Sequence, residues 1–240
     1  MKILYDVEVY SNCFLCTIMN YDTKEKTTWE ISHRKNDYEE VKKFFSEYKE
    51  FLVSFNGIHY DNCIIMYILL NPLLEVKGYL LKLKSWSDTI INTDRWWSDR
   101  ALSKYKYHNR WIDVDLFLYW SKMLRISKKI SLKGLAIQLG YHTVQELPFE
   151  PSRHLTESEI DELIHYNRVH DIDILALLCD KMEPEIKLRG YIKSTFGLDC
   201  MSWDAPKISS EILLVDYCNA ERLDPKEVRN TRYSYGSKLP

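Results

Sequence analysis

Apolar and polar residues alternate with a period of two over Ile3 to Tyr10, Phe14 to Met19 and Lys26 to Ile31, the spacing of strands with a face turned to a core. Asn20-Tyr21-Asp22 supplies turn chemistry between the second and third of them. From Asn36-Asp37 the period lengthens, and Tyr38, Val41, Phe44 and Phe45 fall on one side of a charged helix running to about Tyr48. Phe51 to Phe55 reads as a buried strand closed by Asn56-Gly57, and Asp61 to Leu70 as a buried helix stopped before Pro72. Trp111 to Phe117 predicts a further strand, and Leu132 to Leu139 a short helix ended by Gly140. Thr156-Glu157-Ser158-Glu159 is a capping box, in which each side chain satisfies the other residue's backbone N–H, so a helix starts there. A second helical stretch runs from about His170 to Met182. Strands first, then strand and helix in alternation, predict an α/β fold: a mixed β-sheet flanked by helices over residues 1–190. Residues 191–240 hold too few apolar positions for a core of that size and are expected to form a C-terminal appendage or the start of a further region.

Composition narrows this picture. A chain of 240 residues that is 45% hydrophobic suits one large domain, or a domain with an appendage, and excludes a disordered or fibrous protein. The longest unbroken apolar run, Cys63 to Leu70, falls far short of the roughly 20 residues a membrane span needs. An acid, Asp6, stands where a signal peptide would be apolar, so no export is expected and the 6 cysteines are expected to be free thiols. Cys13-Phe14-Leu15-Cys16 has zinc-ligand spacing but lacks a second pair, which favours two thiols packed in a strand. Charge is nearly balanced, 33 Lys+Arg against 35 Asp+Glu, which by itself does not advertise a nucleic-acid binder. Its distribution changes that. Residues 101–135 carry Lys104, Lys106, Arg110, Lys122, Arg125, Lys128, Lys129 and Lys133 against Asp113 and Asp115. Trp86, Trp96 and Trp97 come before them, and Tyr105, Tyr107, Trp111 and Trp120 are interleaved. Basic groups can track a phosphate backbone and aromatic faces can stack on unpaired bases; the plainer alternative is a solvated face with tryptophans in the core.

The carboxylates carry the sharper signal. Asp6-Val7-Glu8 lies on the first strand, where residues two apart share a face and both acids can converge. Residue frequencies yield about one D-x-E per chain of this length by chance. A second copy, Asp37-Tyr38-Glu39, opens a polar helix, where acids suit the macrodipole. The first is flanked by Leu4, Tyr5, Val7 and Val9, in a strand where acids are costly without a task. Hard divalent cations want such oxygen ligands. Asn56-Gly57-Ile58-His59-Tyr60-Asp61 follows a buried strand and opens a helix; the pattern N-x-x-x-[FY]-D is expected only about 0.08 times per chain. A third cluster, His165-Tyr166-Asn167-Arg168-Val169-His170-Asp171-Ile172-Asp173, gathers acids, a phenol and imidazoles between two helical stretches.

In this order, the three clusters resemble the three motifs of the DEDD 3′–5′ exonuclease superfamily, which has a ribonuclease-H-like fold. More narrowly, residues 3 to 190 resemble the proofreading exonuclease domain of bacteriophage-type DNA polymerases, with support from Ile112 to Phe117, Ser131-Leu132-Lys133, Leu139-Gly140, Glu146-Leu147-Pro148 and Leu155-Thr156. The resemblance implies two Mg²⁺ or Mn²⁺ ions held by Asp6, Glu8, Asp61 and Asp171, with Asp6 bridging both, Glu8 and Asp171 on the nucleophile side and Asp61 on the far side. It implies Tyr166 as the residue that orients the attacking water, and Asn56 and Tyr60 near the substrate end. The third motif departs from the family: the tyrosine subclass has Y-x-x-x-D, whereas Tyr166 and Asp171 stand one residue further apart. On an ideal α-helix an i,i+5 pair lies about 140° apart, so the two share a site only if Tyr166 precedes the second helix or a π-bulge absorbs the extra residue. Asp173 is the alternate for Asp171, and His170 and His165 stand behind Tyr166. The implied activity is hydrolysis at single-stranded or frayed DNA 3′ ends, releasing nucleoside 5′-monophosphates, as in proofreading during viral DNA replication, in the host cytoplasm and beside a polymerase domain or subunit. A non-catalytic nucleic-acid-binding or polymerase-scaffolding module of the same fold, and an RNA-directed exonuclease, remain the alternatives.

Overall fold

The computed structural model describes residues 1–92, 111–123, 131–201 and 203–230. They form two compact units, Met1–Glu183 and Pro184–Pro240.

The first unit is built on five strands: β1 (Lys2–Val9), β2 (Cys13–Asn20), β3 (Lys26–Ser32), β4 (Phe51–Ser54) and β5 (Ile112–Asp115). Their order is β3-β2-β1-β4-β5. The meander β1–β2–β3 pairs antiparallel, and β4 and β5 add in parallel beside β1, so the sheet is mixed and helices flank it, as the alternating pattern predicts. On β1 the odd positions Ile3, Tyr5, Val7 and Val9 enter the main core. Helices α1 (Tyr38–Glu47), α2 (Asp61–Leu70) and α3 (Val76–Asn92) supply its other side through Val41, Phe45, Ile64, Ile68, Leu80 and Leu83. Tyr10, Cys13 and Leu15 instead pack with Leu155, Ile160, Leu163 and Tyr166 in a second cluster. Cys13 and Cys16 thus enter different clusters, as residues three apart on a strand must, and do not form one chelating pair. None of the 6 cysteines forms a disulfide, and all are buried.

Two elements differ from the hydrophobic pattern. The segment Trp111 to Phe117 is not one strand: β5 ends at Asp115, and helix α4 (Leu116–Met123) begins at once. Asp115 accounts for the switch, because its Oδ1 accepts the Phe117 N–H (3.0 Å) at the new helix start. Helix α3 has no counterpart in the strand–helix alternation, although Tyr79, Leu80, Leu83, Ser87 and Ile90 recur at helical spacing.

Further along, α5 (Leu132–Gln138) is capped by Ser131, whose hydroxyl accepts the Gly134 N–H at 3.0 Å, and Gly140 follows with φ 82°. Helix α6 (Glu157–Tyr166) starts at the expected capping box: Glu159 Oε2 accepts the Thr156 N–H at 2.8 Å. A π turn, Asn167–Asp171, leads into α7 (Ile172–Phe196), which runs well past Met182. The division between the units falls within α7 at Glu183–Pro184, where the proline leaves the helix without one N–H donor.

In the second unit, Ile192, Leu198, Cys200 and Ile208 form a small cluster with Phe196, Trp203, Ile212 and Val215. Buried Arg189 donates to the carbonyls of Cys200 (2.7 Å) and Trp203 (2.6 Å). Helices α8 (Ala205–Glu221) and α9 (Pro225–Asn230) complete it. No helix among the described residues is long and apolar enough to cross a membrane.

Candidate active site

The face of β1 opposite the main core carries Asp6 and Glu8, and it meets the π turn. Asp6, Glu8 and Asp171 each bring a carboxylate oxygen within 4.8 Å of the others. The first cluster and the acid of the third, far apart in sequence, therefore converge. The place is one that parallel topology favours: β4 pairs with β1 only over Lys2 to Leu4, so the carboxyl end of β1 runs on past its parallel neighbour, the position at which crevices form in such sheets.

Asp61 approaches from the start of α2. It is 4% exposed, and its Oδ1 accepts the Val7 N–H at 3.2 Å, a group that β4 stops too early to pair. Asp61 is not one of the three converging carboxylates, but its charge reaches both Asp6 and Glu8.

So many acids in a partly dry crevice resist ionisation. Burial first, then the charges of Asp61, Asp171 and Glu8, push Asp6 well above the usual carboxylate range. Burial, then Asp171 and Asp61, raise Glu8 to about 8. Burial raises Asp61 to about 7, against the pull of the Val7 N–H. Asp171 rises to about 6 through burial, moderated by Lys133, the Tyr166 hydroxyl and His170. Lys133, on α5, lies beside Glu146 at 3.4 Å with its ammonium 5.2 Å from the centre of the Tyr166 ring.

The extra residue of the third motif is taken up by the π turn. The Ile172 N–H bonds to the Asn167 carbonyl, an i→i+5 closure that brings residues five apart onto one side. Tyr166 and Asp171 therefore meet, and the phenol donates to Asp171 Oδ1 at 3.3 Å. Burial, then the charges of Asp171 and Glu8, holds the Tyr166 proton well above its ordinary range. The alternates separate by geometry. Asp173 is drawn off by Lys26 at 2.5 Å, and His165 is exposed. His170 is buried beside Tyr166, ring centres 5.5 Å apart, with Nδ1 donating to the Thr143 carbonyl at 3.1 Å.

Asn56 and Tyr60 lie in the turn between β4 and α2, just ahead of Asp61. Asn56 is left-handed at φ 64°, and a Cβ on Gly57 would meet Ser54 Oγ at 2.1 Å, so this turn demands glycine. Buried Asp115 holds it, accepting the N–H groups of Asn56 (2.8 Å) and Ile58 (3.3 Å). Asn56 is half-buried; Tyr60 is too, with its hydroxyl bonded to Ser87 at 2.8 Å.

Sequence reasoning missed two residues. Asp115 looks like one acid in a supporting strand, and its role follows from β5 lying beside β4. Asn167 is fully buried and its Nδ2 donates to Asp6 Oδ2 at 2.6 Å, a contact across 161 positions with no local signal. Of the aromatic and basic set, Trp111 is a core residue packed on Phe45, and Trp86 packs against the core from α3. Trp96, Trp97, Lys104, Tyr105, Lys106, Tyr107, Arg110, Arg125, Lys128 and Lys129, and the side chain of Lys122, lie outside the described residues. No protein-family model, curated protein or solved structure matches the chain.

Proposed function

We propose that this protein is a metal-dependent 3′–5′ exonuclease that hydrolyses phosphodiester bonds at single-stranded or frayed DNA ends. The observation that carries the reading is the convergence of Asp6, Glu8 and Asp171, with the Tyr166 hydroxyl on the last of them. The donor set is all hard oxygen, which fits Mg²⁺ or Mn²⁺, and the raised carboxylate pKa values describe a site short of positive charge. Asp6, Glu8 and Asp171 would hold the ions, with Asp61 as fourth carboxylate. Divalent ions at such a site lower the pKa of bound water and offset charge on a leaving 3′-oxygen.

The chain's own groups divide the remaining work. Because burial and neighbouring acids hold the Tyr166 proton in place and Asp171 receives it, the phenol oxygen is free to orient water as an acceptor and the group does not serve as a base. The Asn56-Gly57 turn, clamped by Asp115, meets the substrate end, and Lys133 adds a cation beside the acids. The π turn, by bringing Tyr166 and Asp171 together despite the lengthened third motif, supports the catalytic reading over a non-catalytic module.

The test is incubation of the full chain with 5′-labelled single-stranded DNA and Mn²⁺. Stepwise shortening that EDTA abolishes, and that Asp6→Ala with Glu8→Ala removes, is expected. DNA binding without shortening would favour a binding module, and faster shortening of matched RNA an RNA-directed enzyme.

A further inference from the structure

Asn167 makes two observations that the four-carboxylate reading does not use. Its amide N–H, donated to Asp6 Oδ2 at 2.6 Å, is a side-chain bond to an acid of the cluster. The other end of the same amide, Oδ1, is buried with no hydrogen-bond partner among the described residues. Buried amide oxygens are nearly always satisfied, so one left open beside a cluster of acids marks a place for a donor that the described residues do not supply. The acids themselves cannot be that donor once ionised.

The orientation of the amide is fixed by its neighbours. An amide NH₂ donates and a carboxylate oxygen accepts, so Nδ2 is the end that faces Asp6 Oδ2. The π turn sets the position: with Tyr166 and Asp171 brought to one side, Asn167 follows directly after Tyr166 and is wholly enclosed. Its neighbours in the turn are occupied elsewhere, Arg168 with Thr28 at 3.3 Å and His170 with Thr143.

We propose that Asn167 is a positioning residue for the metal site: its N–H fixes which Asp6 oxygen faces the cluster, and its Oδ1 accepts a hydrogen bond from a water that enters with the cation. This rests on the metal-dependent reading above. Partners of metal ligands that act in this way typically contribute about 10- to 100-fold in metal affinity.

The experiment measures Mn²⁺ binding to the full chain by titration, with thermal melts in EDTA and in saturating Mn²⁺. Four proteins are compared: wild type, Asp6→Ala with Glu8→Ala, Asn167→Ala, and Asn167→Asp, which keeps the volume but replaces the donor with an acceptor. Expected is a loss of about 10- to 100-fold in Mn²⁺ affinity for Asn167→Ala. Asn167→Asp should melt below wild type in EDTA, because an acid now faces Asp6, and should gain more than wild type on adding Mn²⁺. Folded Asn167→Ala binding Mn²⁺ as tightly as wild type would overturn the proposal. If Asn167→Ala does not fold, Asn167→Asp decides, and melting like wild type in both conditions overturns it. Wild type binding Mn²⁺ no better than the Asp6/Glu8 double variant would instead overturn the metal-dependent reading itself, and this proposal with it.

Discussion

Tyr166 and Asp6 show at the residue scale how the crevice is tuned. The phenol hydroxyl meets Asp171 Oδ1 at 3.3 Å and, more distantly, the Gln145 carbonyl at 3.5 Å, while its ring packs with His170 and under Lys133, contacts a phenylalanine keeps. Tyr166→Phe should therefore fold normally and lose about 10- to 100-fold in kcat, the cost of a poorly placed reactant, in a single-turnover assay on 5′-labelled DNA. Asp6 tests the electrostatics. Glu8, Asp61 and Asp171 are raised to about 8, about 7 and about 6 in the folded chain, and Asp6 well above the usual carboxylate range. Between the unfolded carboxylate range and these values the native state binds more protons than the unfolded one. Stability without metal must then fall as pH rises from about 4.5 to 8, and saturating Mn²⁺ should flatten that slope. Asp6→Asn keeps an acceptor for Asn167 and removes a group that burial and neighbouring acids keep from ionising. It should raise the melting temperature in EDTA at pH 8 by about 2–4 °C, the shift that roughly 1 kcal/mol produces in a chain of this size. Melts across that pH range check both statements. The paired acids Asp6 and Glu8 were legible in the sequence because an alternating strand fixes which side chains share a face. Only the family motif favours Asp171 over Asp173 there, since the physical ground for the choice is Lys26, far away on β3, capturing Asp173. Asn167 was silent for the same reason.

The decisive element is the π turn. An added residue in a helix either rotates everything after it by about 100° or is absorbed locally, and the i→i+5 closure at Asn167–Asp171 is the local solution. Deleting Val169, an exposed residue of that turn, should return the segment to ordinary α-helix with Tyr166 and Asp171 at i,i+4. The deletion variant is expected to remain folded, by near-ultraviolet circular dichroism, and to keep Mn²⁺-dependent shortening of DNA. Loss of the fold would mean that the turn carries more than register. Elsewhere, elements with their own local code were legible: the capping box of α6, the Pro72 stop of α2 and the alternating β1–β3 meander. The β5–α4 junction was not, because a continuous apolar run has no period to show where strand becomes helix; the carboxylate of Asp115 sets that point.

On the scale of the whole molecule, a net charge of −2 conceals a segregated distribution. Four acids lean toward one crevice at the carboxyl ends of parallel strands, and Lys133 answers them from α5. Such a crevice stays under-ionised until positive charge enters it, so cation and nucleic-acid binding should be linked. The central claim is that Asp6, Glu8 and Asp171 together hold the divalent ion on which hydrolysis depends. A crystal structure of the full chain soaked with Mn²⁺ and a nucleoside 5′-monophosphate tests it most directly. Anomalous density shared by these three carboxylates is expected, with Asp61 nearby and the phosphate on the ion. Mn²⁺ bound elsewhere, or this crevice empty at saturating metal, would contradict it.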